Sequence, residues 1–165
     1  MGRKGSDNGF KILRKKMEKM KFKHTTPIQL RFNDFDALGH VNNSVYFSFY
    51  DLGKTSYFNQ VMPEVSDSRE VGVVIANIQV SFLLPVYPGE NVAVETAVTE
   101  IGNKSFKLLQ QLVDVETNEV KCICQTVMVC YDAKTKNSRL ISEEWRVAMA
   151  DFEENPELLK VHSRR

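Results

Sequence analysis

The sequence predicts an α+β domain in which an antiparallel sheet wraps around one long helix. Residues 44–58 keep helical spacing and are apolar over a wide arc. Residues 73–132 read as four long strands joined by short turns, which implies antiparallel pairing of consecutive strands. A helix so rich in aromatics and so poor in charge must be deeply packed, and the sheet is the element that can cover it.

Residues 1–24 carry nine Lys/Arg against two Asp/Glu, a net charge of +7, and the other 141 residues carry −6. They read as a basic N-terminal extension, solvated or fraying, ahead of a single domain over 25–165. Ile28, Leu30 and Phe32 alternate with Gln29, Arg31 and Asn33, a half-buried strand. A polar loop follows over 34–43. In the helix, Tyr46, Tyr50, Gly53 and Tyr57 fall on one row, with Val45, Phe49 and Leu52 beside it; Asn42, Asn43 or Ser44 can cap its first turn. Pro63 breaks a polar loop over 61–70. Strands are expected at 73–84, 91–99, 105–115 and 120–132. A helix over 142–154 ends the domain, and Asn155-Pro156 starts a short last one.

Composition removes several classes. With 42% hydrophobic and 26% charged residues, the chain is an ordinary globular protein. No apolar run approaches the roughly 20 residues of a membrane span. No apolar stretch follows the basic N-terminus as in a secretory signal, so the cytoplasm is the expected location. Cys122, Cys124 and Cys130 share one strand parity and read as small buried hydrophobes. His24, His40 and His162 are too scattered for a zinc pattern. Gly53-Lys54-Thr55 ends like a phosphate-binding loop, but Ser48 stands where the first glycine belongs and the tripeptide lies in a helix. The basic extension lacks the aromatic interleaving that stacks bases. Neither nucleic acid nor membrane is an expected partner.

The informative stretch is Asp36-Ala37-Leu38-Gly39-His40-Val41-Asn42-Asn43, between a strand and the buried helix. Its Asp36-x-x-Gly39 spacing, with the aromatic helix after it, resembles the opening motif of hotdog-fold acyl-CoA thioesterases of the 4-hydroxybenzoyl-CoA thioesterase group. It is also similar to the corresponding stretch of plant acyl-ACP thioesterases. The resemblance continues through Val71-Gly72, Val80-Ser81-Phe82, Pro88-Gly89-Glu90 and Lys104-Ser105-Phe106, in that order. It implies a hotdog fold and hydrolysis of an acyl-CoA to a free carboxylic acid and CoA. It also implies sheets paired edge to edge in homodimers or homotetramers, with the active site at the subunit interface. No metal is implied, and no cofactor beyond the coenzyme A of the substrate. The alternatives are an acyl-ACP thioesterase and a hotdog protein that binds acyl-CoA without hydrolysing it.

Thioester hydrolysis needs a placed water or nucleophile and donors for the developing oxyanion. Asp36 matches the family's catalytic aspartate, as general base or as a nucleophile forming an anhydride; as a plain loop carboxylate it would cap a turn. Asp34 is the rival carboxylate, with the parity of the strand end. Relatives take the oxyanion donor from a backbone N–H at a helix start. The matching position is Gly72, which otherwise serves as a loop-to-strand pivot. Seven residues after the aspartate, relatives carry His or Tyr. Here Asn43 stands there, able to position a water or cap the helix but not to transfer a proton near neutral pH. His40 matches a histidine of the plant enzymes, whose intervening asparagine is replaced by Leu38; it assists Asp36 or bonds within the loop. Lys104 matches a position that contacts coenzyme A phosphates, or is a solvated turn lysine.

Overall fold

The structure, a computed structural model, describes residues 5–63 and 71–160. Most of the loop expected over 61–70 lies outside the described residues, as does His162. The chain runs α1 (Gly5–Glu18), β1 (His24–Ile28), α2 (Val45–Val61), β2 (Val71–Phe82), β3 (Val92–Ile101), β4 (Ser105–Asp114), β5 (Val120–Asp132), β6 (Asn137–Ser138) and α3 (Glu143–Phe152). One antiparallel sheet has the order β1-β3-β4-β5-β2, with β6 on β5.

The expected helix and four long strands are present, and the sheet curls around α2. Tyr50 and Tyr57 are fully buried in it. The first half of α2 packs Tyr46, Phe49 and Tyr50 on Val92, Val94, Leu112, Cys122 and Cys124. Its second half packs Tyr57 and Phe58 on Val98, Phe106, Leu108 and Met128, and α3 closes that end with Trp145 and Met149. Gly53 lets the helix backbone approach β3 and β4: a Cβ there would stand 2.6 Å from Val94 Cγ1 and 2.9 Å from Gln110 Nε2. Bulges between Ile75 and Asn77 and between Val98 and Glu100 bend the strands into the curl. The three cysteines are free and buried on the inner face, as their parity indicated. Ser142 caps α3, accepting from the Trp145 N–H at 3.2 Å, and Asn155 caps the final turn over Glu157.

Three expectations are corrected. The first strand is His24–Ile28, not the alternating run that follows; its pairing with β3 ends at Ile28↔Val92, and Phe32 is 94% exposed. Consecutive strands do not all pair: β2 and β3 are close in sequence, yet β2 lies on β5 and β3 on β1. Nor is the basic extension merely a solvated tail. Met17 of α1 is 7% exposed and seats on Leu109 and Ile123, on the sheet face opposite α2.

Candidate active site

The loop from β1 to α2 is built by its own side chains. Asp34 closes a short 3-10 turn over Phe32–Asp34, its carboxylate accepting the Arg31 N–H at 2.7 Å. That bond gives the rival carboxylate a structural task. Phe35 and Val41 then bridge, and the Asp36 N–H donates to the His40 carbonyl at 3.1 Å. Gly39 makes the turn at φ +80, a conformation that favours glycine. The buried Val41 donates to the Val86 carbonyl at 2.9 Å, which ties the loop to the β2–β3 connection.

The turn leaves Asp36 half-buried with a donor on each oxygen. The Leu38 N–H reaches Oδ1 at 2.9 Å and the Asn42 amide reaches Oδ2 at 3.3 Å. The turn-capping role weighed for this carboxylate is therefore real, and it occupies Oδ1 alone. Asp36 lines a depression of about 800 Å³ with Ile28, Leu30, Phe35 and Pro88.

The sequence shows Asn42 only as a possible helix cap. The structure gives it a second task. Its side-chain oxygen accepts from the Ser44 N–H at 2.9 Å and the Ser44 hydroxyl at 2.7 Å. Those two donors fix the amide so that its NH₂ faces Asp36. One residue thus links the carboxylate to the start of α2. The Asn-Asn-Ser run before the helix was the available signal, but which way the amide points is set by the folded loop.

The other candidates fall into two groups. His40 and Asn43 line a separate depression of about 200 Å³, walled by Tyr46, Phe82, Leu83 and Leu84. His40 Nδ1 lies 3.4 Å from the Val41 carbonyl, and the ring meets Tyr87 edge-on at 6.3 Å. Backbone bonding makes it a neighbour of Asp36, but no side-chain bond joins them among the described interactions. Burial, aided by nearby Cys122, pushes the Tyr46 phenol up to about 12, so it stays neutral there.

Gly72 and Lys104 stand at the opposite end of the sheet. Gly72 lies within β2, opposite Tyr131, and not at a helix start. Helix α2 begins beside Asp36 and Asn43, so its N-terminus is where the loop meets a helix start. Lys104 is exposed in the β3–β4 turn, its Nζ 3.5 Å from the Ser138 hydroxyl. Gly72 and Phe82 are ten residues apart on one strand, about 30 Å. One chain alone therefore does not bring Gly72 and Lys104 to Asp36. Among the described residues, no three His, Cys, Asp or Glu side chains gather as a metal site would require. No described helix is long and apolar enough to cross a membrane.

A curled antiparallel sheet around one helix, with an aspartate loop at the helix start, defines a class: the hotdog-fold thioesterases. The profile of the Thioesterase-like superfamily matches residues 30–155, and the chain belongs to that family. It is 27% identical over 90 residues to the uncharacterized protein YsmA of Bacillus subtilis, spanning 54% of this chain and 60% of that protein. It is 23% identical over 111 residues to the acyl-CoA thioester hydrolase YbgC of Escherichia coli O6:H1, spanning 64% of this chain and 80% of that protein. Among solved structures it is similar to a thioesterase of Thermus thermophilus crystallised with coenzyme A and zinc. That match has 25% identity and a TM-score of 0.73, and covers 82% of this chain and 97% of that one.

Proposed function

We propose that the chain hydrolyses an acyl-CoA thioester to a carboxylic acid and CoA, with Asp36 as the working carboxylate. The supporting observation is the Asp36 loop, which holds the carboxylate half-exposed with a donor on each oxygen. Asp36 either takes a proton from an attacking water or attacks the carbonyl itself and is freed by water. In both routes the thiolate leaves and one water is consumed. Asn42 orients the carboxylate, and Asn43 and His40, in the separate depression on the other side of the loop, are the polar groups to place water or the carbonyl. Neither a cofactor nor a metal enters this reaction.

The site is completed by a second copy in this reading. β2 is an edge strand, and Val74, Ile75 and Phe82 on it are exposed hydrophobics. An apolar exposed edge is a liability that pairing removes. Antiparallel pairing of two β2 strands about their middle sets the Gly72 end of one beside the Phe82 end of the other. Gly72 of the partner subunit then offers a backbone N–H near the His40–Asn43 depression. The positive end of α2 faces the same developing oxyanion. Lys104 of the partner subunit comes toward the mouth, where coenzyme A phosphates would lie.

The test is thiol release from acyl-CoAs of short, long and aryl type, with the solution mass measured on the same sample. Turnover by a dimer or tetramer is expected. A folded oligomer that turns over none of the esters contradicts the proposal, as does full activity in a monomer.

A further inference from the structure

We propose that α1 and the outer face of the sheet form a compartment for the acyl chain of the substrate, an inference that rests on the hydrolytic reading of the neighbouring site. Helix α1 lies outside the residues shared with the family, 30–155. It is docked on the sheet through Met17. Between helix and sheet remains a cavity of about 580 Å³. That volume falls in the range of small-molecule sites.

The walls favour hydrocarbon. Met17, Leu83, Leu84, Val120 and Ile123 supply the apolar surface. The charges at the cavity are one guanidinium, Arg14, and two carboxylates, Glu18 and Glu119. Arg14 lies 3.8 Å from Glu18, and Glu119 lies 3.6 Å from Lys121. A phosphate would meet an excess of carboxylate here, whereas an alkyl chain meets five apolar side chains. The cavity also adjoins the His40–Asn43 depression. Leu83 and Leu84 wall both it and the depression that holds His40 and Asn43. An acyl chain whose carbonyl sits at that depression reaches α1 by crossing these two leucines. Each buried methylene then contributes about fourfold to affinity.

Binding of butyryl-CoA and palmitoyl-CoA is measured by equilibrium dialysis on the full chain carrying Asp36→Asn, which preserves the ester. Palmitoyl-CoA is expected to bind at least tenfold tighter than butyryl-CoA. Met17→Trp fills the cavity from the helix side and Val120→Trp from the sheet side. Each is expected to lower the palmitoyl-to-butyryl ratio at least tenfold, with thermal melts showing which variants are folded. If only one folds, that one decides. Equal binding of the two esters overturns the proposal, and so does a ratio that a folded tryptophan variant leaves unchanged. Because binding is read without turnover, failure of hydrolysis on every ester would remove the catalytic reading and still leave the compartment judged by this ratio.

Discussion

A methyl group added at Gly53 has nowhere to go. Its Cβ would stand 2.6 Å from Val94 Cγ1, 2.9 Å from Gln110 Nε2 and 3.2 Å from Thr96 Oγ1. Carbon pairs rest at about 3.5–4.0 Å, so the Val94 contact is short by about 1 Å. All three neighbours are fully buried or nearly so. Gln110 cannot withdraw freely, because its amide donates to the Tyr50 carbonyl at 3.0 Å and to Thr96 Oγ1 at 3.1 Å. Gly53→Ala gains about 1 kcal/mol of helix propensity. Against that, overpacking costs about 1–3 kcal/mol and a displaced buried amide about 1–3 kcal/mol more. The net runs from about 1 to about 5 kcal/mol of destabilisation, with about 3 kcal/mol at its centre. For a chain of this length that lowers Tm by about 5–10 °C. Melts of both proteins at one concentration read it directly. An alanine variant as stable as wild type, or more stable, would refute the close-approach argument and show that helix propensity wins.

Asn42→Ala removes the donor from Asp36 and the bracket on Ser44, so kcat should fall about tenfold, a loss of about 1.4 kcal/mol, with KM little changed; equal kcat would remove Asn42 from the positioning role. Burial pushes the Glu153 carboxyl above its ordinary value of 4.5, against hydrogen bonds from Tyr57 and Val98 and the field of Lys23. Its folded value thus exceeds its unfolded one, and its stabilising contribution, present below 4.5, is lost as pH rises through the folded value. Glu153→Gln keeps an acceptor for Tyr57 and Val98, so its Tm relative to wild type should improve from pH 4 to pH 7; a difference that stays constant with pH contradicts this. Burial pushes the Cys122 thiol up to about 12 and Cys130 to about 11. Since the thiolate is the reactive form, native protein should leave a thiol-reactive dye unchanged and react at three cysteines only when unfolded.

Legibility in the sequence followed the range of the interactions. The aromatic row of α2 and the strand parities are local periodicities, and both appear in the structure. Ser142 and Asn155 cap as read because capping is settled within three residues. Ile28, Leu30 and Phe32 alternate like a strand, but whether that stretch pairs depends on β3, distant in sequence, and the ladder ends at Ile28. The short link between β2 and β3 likewise says nothing about β5, the strand β2 joins. At the candidate site, the Asp36-x-x-Gly39 spacing was readable because Gly39 adopts a turn conformation that favours glycine. The Asn42 contact was not, since an amide's direction is fixed by the two Ser44 donors in the folded loop. Gly72 could be named from its motif, but its distance from Asp36 within one chain is a property of strand order.

The most direct test compares thiol release by wild type, Asp36→Asn and Asp34→Asn on one acyl-CoA. Asp36→Asn should lower kcat/KM at least ~100-fold, the scale of a lost general base. Asp34→Asn should keep most of the activity, because Asp34 accepts the Arg31 N–H within the loop. Wild-type turnover in Asp36→Asn, or loss confined to Asp34→Asn, would contradict the assignment of Asp36 as the working carboxylate.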